Sequence, residues 1–107
     1  MSLDNTQVVD ALGTDRESGF AVLTIIDHWD WSEEKEHLIA LQTKLNFYFE
    51  FVESGQIFTS YPEAVDRKLC IDIVSRFPIS GAGQTLLRRA AEAASQLNIA
   101  ITNRVHS

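Results

Sequence analysis

A chain of 107 residues has room for one ordinary domain and not for two, and its 45% hydrophobic content supplies a core that disordered chains lack. The formal net charge of -6 repels nucleic acid phosphates and anionic membrane surfaces, and it suits a basic protein partner. A lone cysteine, Cys70, cannot close an internal disulfide, no apolar run approaches the ~18 residues of a membrane span, and the N-terminus lacks a secretory pattern, so the expected setting is cytoplasmic.

Residues 1–107 read as one α+β domain, with 1–6 a flexible or leader-derived N-terminus. Gln7 to Leu12 predicts a short strand. Gly13 to Gly19 is dense in turn formers, and Phe20 to Asp27 is a stronger, β-branched strand, so a hairpin is expected. Phe20, Val22, Thr24 and Ile26 share one face, and Ala21, Leu23, Ile25 and Asp27 the other. Both faces are mostly apolar, which predicts a central strand covered on both sides.

From Ser32 to about Ser54 the period becomes helical, with Leu38, Leu41, Leu45, Tyr48, Phe49 and Val52 in one stripe and Phe47 and Phe51 beside it. Gly55 is the expected stop. Ile57 and Phe58 read as a short strand, and Tyr61-Pro62 as a turn. Lys68 to Phe77 alternates as a strand. Ser80 is placed to cap a second helix reaching about Leu97, its buried side formed by Leu87, Ala90, Ala91, Ala94 and Leu97. Ile99 to Val105 is the last strand.

This order predicts a two-layer sandwich, with two helices on one face of a mostly antiparallel sheet. Its topology is expected to be ferredoxin-like βαββαβ, or a variant carrying an extra N-terminal strand.

The densest chemistry lies in "DHWDWSEE", Asp27 to Glu34. His28, Asp30 and His37 are the candidate metal ligands, and a small metal-dependent enzyme or metal-binding protein is the alternative reading. Their spacing does not build a convergent site, since no H-x-x-x-H or H-x-x-E-H pair shares a helical face. A helix cap needs less: Asp30 with Glu33 as a capping box, or Ser32 as the cap. His28, Trp31, Phe47 and Phe51 are the candidate interaction patch.

"SGAGQT" from Ser80 lacks the lysine of a phosphate loop and the third glycine of a dinucleotide fingerprint. Cys70 lies mid-strand, away from any helix N-terminus that would activate it, and no serine sits in an elbow motif. Catalytic residues and a cofactor are therefore not expected. The reading is a non-enzymatic protein-interaction module, forming a homodimer through the helix Ser32 to Ser54 or a sheet edge, with a basic protein as a further partner.

"NTQVVDALG" from Asn5, "VLTIIDHWDW" ending at Trp31, "EHLIALQTKLNFY", "ESGQI" and "YPEA" followed by "RK" together resemble a family of small bacterial proteins of unknown function. The resemblance spans about Asn5 to Phe77 and is most specific at Asp27, His28, Asp30 and Trp31. The pattern ordinarily carries an aliphatic residue where Trp29 stands, which favours Trp31 as the recognition aromatic. It implies a bacterial, cytoplasmic, stand-alone domain and transfers no catalytic or binding residue.

Overall fold

Residues 3–106 are described by a computed structural model. The chain runs β1 (Ala11–Thr14), β2 (Ala21–Asp27), α1 (Glu34–Glu53), α2 (Gln56–Ser60), a 3-10 turn (Pro62–Ala64), β3 (Leu69–Ser75), α3 (Gly81–Ser95) and β4 (Ile99–Val105). The turn between β1 and β2 is closed by the Asp15 N–H on the Phe20 carbonyl, with Gly19 at φ 77°, in the left-handed region that glycine enters without strain. That hairpin is antiparallel, as its short turn predicts.

The rest of the sheet corrects the expectation. Strand order is β1-β2-β3-β4, and both the β2–β3 and the β3–β4 pairings are parallel. The sheet is mixed, not mostly antiparallel, and the sequential order is not the ferredoxin-like one. The segment around Ile57 explains the difference: it forms α2 instead of a strand. With no strand between α1 and β3, the chain makes two successive βαβ units, and each helical crossover returns it in the same direction. Right-handed crossovers advancing the same way across a sheet put both helices on one face. Consistent with this, α1 and α3 touch each other.

Burial follows. β2 alternates strictly, with Ala21, Leu23, Ile25 and Asp27 buried and Val22, Thr24 and Ile26 half-buried, so this central strand is covered on one side only. Ile71 and Ile73 of β3 join that face, under Leu41, Leu45 and Tyr48 of α1 and Leu87, Ala90 and Ala94 of α3. Alanines let α3 approach closely; Ala91, expected inside, is exposed. Ser80 caps α3 by accepting a hydrogen bond from the Gly83 N–H at 3.1 Å. Ile57 of α2 is fully buried against the same core, while Phe77, the last residue of the expected strand Lys68 to Phe77, lies past the end of β3 and is exposed.

Within the first six residues, Leu3 is buried and the Asn5 carbonyl accepts from Lys44 Nζ at 3.0 Å. Lys44 also pairs with Asp10 at 2.8 Å, both side chains fully shielded. The other Asp10 oxygen accepts from the Ile26 N–H at 2.9 Å. Tyr48 completes the cluster, donating to the Thr24 carbonyl at 2.6 Å and accepting from the Asp10 N–H at 2.8 Å. The polar atoms buried here hold the N-terminal segment against β2 and α1. No helix among the described residues is long and apolar enough to cross a membrane.

Candidate functional site

β2 ends at Asp27 on its buried face, and a carboxylate there needs a partner. His37, in the first turns of α1, provides it: Nε2 lies 2.5 Å from Asp27 Oδ2, and both side chains are 1% exposed. The remaining Asp27 oxygen accepts from the Trp29 N–H at 3.0 Å. On the far side of the imidazole, Nδ1 lies 2.9 Å from the Asp30 carbonyl. A carbonyl only accepts, so Nδ1 carries a hydrogen, and one proton sits between Nε2 and the carboxylate. Trp31 stacks on the ring, with centroids 3.6 Å apart and planes 16° from parallel, and Trp29 meets it edge-on at 5.6 Å.

This arrangement ties the end of β2 to the start of α1. Both imidazole nitrogens are engaged and the pair is out of solvent, so the ring has no free nitrogen to take a proton from a bound molecule. It acts as a clamp.

Asp30 is not the helix cap. Its carboxylate accepts from the Ser32 N–H at 3.1 Å and the Ser32 hydroxyl at 2.6 Å, a local turn two residues long. Those bonds hold the Asp30 carboxyl below the usual carboxylate range, the Ser32 hydroxyl contributing most. The cap position is Glu33, with no side-chain cap bond, and Ser32 precedes it. With Glu33 as cap, His37 occupies the fourth helical position, where a residue from the incoming chain often packs. Trp31 fills that role.

The sequence-based candidates therefore separate. His28 is exposed just past β2, and Trp31 is half-buried in the clamp with its indole N–H enclosed and unpartnered among the described residues. Phe47 is half-buried, edge-on to Tyr48, and Phe51 is buried. From His37 to Phe47 is ten residues of helix, ~15 Å, so the phenylalanines lie well away from the corner. Among the described residues no three of His, Cys, Asp and Glu group as a metal set, so His28, Asp30 and His37 do not converge.

What does converge is a cavity of about 300 Å³ lined by Trp29, Asp30, Ser32, Glu33 and Glu36. Sequence reasoning set Trp29 aside and overlooked Asp27 and Lys44. An acid on the apolar face of an alternating strand, and a lysine between Leu41 and Leu45 on the core stripe, were the signals available.

The whole chain, residues 1–107, matches DUF6572, a family of unknown function. The chain belongs to that family. The match extends past the Asn5 to Phe77 stretch that carries the sequence resemblance and takes in α3 and β4. No curated protein and no solved structure matches it.

Proposed function

We propose that this DUF6572 chain is a non-enzymatic interaction module, and that its corner between β2 and α1 receives a basic side chain of a protein partner. The carrying observation is the cavity where the Trp29 indole stands beside the carboxylates of Asp30, Glu33 and Glu36. A guanidinium or ammonium over an indole face gains about 0.5–2 kcal/mol, most when desolvated. The exposed rim carboxylates are screened by solvent and act mainly on the association rate. The Asp27–His37 clamp beneath keeps the indole in place, which lowers the ordering cost of binding.

The test uses a synthetic lysine- and arginine-rich peptide and its glutamine-substituted counterpart. The basic peptide should shift the Trp29 indole resonance saturably, more weakly as salt rises, and Glu33→Gln with Glu36→Gln should weaken it several-fold. Equal binding of the uncharged peptide would refute the reading.

The alternative, a metal-dependent protein centred on His28, Asp30 and His37, requires His37 to release Asp27 or the Asp30 carbonyl. Zinc binding in equilibrium dialysis that is lost in His37→Ala would favour it. A further part of the proposal is homodimerisation. Phe51 is covered within its own chain, which removes support from the α1 route and leaves the free edge of β4, where Val105 is exposed.

A further inference from the structure

The sheet face away from the helices carries a graded floor. Strand register aligns Gly13, Val22, Cys70 and Ala100 in one row, and Ala11, Thr24, Asp72 and Thr102 in the next. Arg104 stands one row further along β4. Rows on one face repeat every ~6.6–6.8 Å. The first row is small and apolar, the second polar, and the third ends in a cation.

Above this floor is a cavity of about 820 Å³, within the ~300–1,000 Å³ of small-molecule sites. Small side chains in the first two rows leave this space, and Phe20 supplies apolar surface at one end.

The polar groups are already oriented. The Thr102 hydroxyl donates to Asp72 Oδ1 at 2.9 Å, and Arg104 Nε donates to Asp72 Oδ2 at 2.9 Å. With its one hydrogen used, the Thr102 oxygen is left to accept from the Cys70 thiol at 3.5 Å. Arg104 thus engages Asp72 through Nε while its side chain stays 67% exposed, and its terminal nitrogens remain open to a second acceptor. The turn holding Asp15 lines the opposite end, and Asp15 accepts from both the hydroxyl and the N–H of Ser18. Asp15 and Asp72 both repel an anion entering this cavity, and the terminal nitrogens of Arg104, whose Nε is already on Asp72, are the cationic donors among its lining residues.

We propose that this uncovered sheet face is a binding site for a small amphipathic carboxylate, its apolar body on the Gly13–Val22–Cys70–Ala100 row and its carboxylate on Arg104. The site is separate from the corner cavity and does not depend on the interaction reading.

The probe is decanoate, titrated into the full ¹⁵N-labelled chain, with decanol and decyltrimethylammonium as controls. Decanoate should shift the Cys70, Ala100 and Thr102 amides saturably. Arg104→Gln should weaken decanoate about tenfold and leave decanol unchanged. Ala100→Trp, a substitution at an exposed position, should abolish the shifts while the spectrum stays dispersed. The proposal is overturned by the absence of saturable shifts, by equal binding of either control, or by an Arg104→Gln chain that binds decanoate normally. Shifts of the Val22 and Cys70 amides, on strands inside the β4 edge, on concentrating the ligand-free chain would assign the face to a second copy and overturn it too.

Discussion

Among single residues, the buried Asp27–His37 and Asp10–Lys44 pairs make the sharpest claims. Deleting one member of such a pair strands the other in the core, at about 3–5 kcal/mol, against a total of ~5–15 kcal/mol for a domain. His37→Ala should fall in that range by urea unfolding, with an unchanged denaturant slope. Asp27→Asn should cost less, about 1 kcal/mol. Its amide can donate to Nε2 while its carbonyl still accepts from Trp29. Equal costs for the two variants would show that charge, not the hydrogen bond, holds the corner. Burial likewise pushes the Tyr48 phenol far above its ordinary value, and the Asp10 charge adds to the shift. The folded state therefore holds that proton more tightly than the unfolded chain does. This contribution is fully present below about pH 10 and is lost as pH rises toward the folded value. The stability gap between wild type and Tyr48→Phe should narrow above pH 10 in alkaline unfolding curves. These residues were only partly legible in the sequence. Alternation along β2 placed Asp27 on one face with Ala21, Leu23 and Ile25, a signal of burial that was available but not drawn on. It did not name His37, because a partner ten positions away depends on how the chain turns at Asp30 and Ser32.

For the elements, legibility tracked how local the determining physics is. Ser80 announced the start of α3, since a cap acts within three residues, and β4 was readable to its ends. "QIF" was not, because five residues can satisfy either period, and the choice of α2 rests on Ile57 reaching the α1 core. The α1 cap was misplaced for the opposite reason: Asp30 satisfies the capping pattern, yet its carboxylate is taken up by Ser32. The first turn of α3 offers a test in which two effects oppose. Helix propensity favours alanine over glycine by ~1 kcal/mol. At Gly83, however, an added Cβ would meet Ile79 Cγ2 at 2.5 Å and the Trp31 ring at 2.9 Å. A stiff β-branched side chain and an indole stacked on His37 cannot both retreat cheaply. Overpacking costs about 1–3 kcal/mol, so Gly83→Ala should destabilise on balance. At Gly81 nothing lies within 4 Å of the added atom, so Gly81→Ala should be neutral or stabilising by up to ~1 kcal/mol. Thermal and urea unfolding of the two variants should therefore move in opposite directions.

At the scale of the molecule, the sequence made two layers legible but not strand direction, because alternation says which residues face the core and nothing about parallel or antiparallel pairing. Direction follows from how many strands lie between helices, so the single misread segment at Ile57 reversed the expected direction of β3 relative to β2, while β3 and β4, joined through α3 alone, run the same way in either reading and differ only in lying side by side. The corrected topology sharpens the question of assembly. β4 is seven residues long, paired on one side by β3, and carries no proline or lysine that would protect its outer edge. A two-fold pairing of β4 with its copy would be antiparallel. Centred on Thr102, it sets Arg104 against Ala100 and Val105 against Ile99, with no like charges opposed. The opposite edge, β1, has only four residues and offers a shorter ladder. Main-chain hydrogen bonds would supply the association, and the small area of an edge contact makes it a micromolar, not a nanomolar, dimer. Sedimentation equilibrium across the micromolar range should show a mass rising toward twice the 12.0 kDa of the chain. Val105→Lys, at an exposed edge position, should return it to the single-chain mass without lowering the unfolding midpoint of the monomer. A single-chain mass for the wild type throughout that range would exclude the β4 dimer.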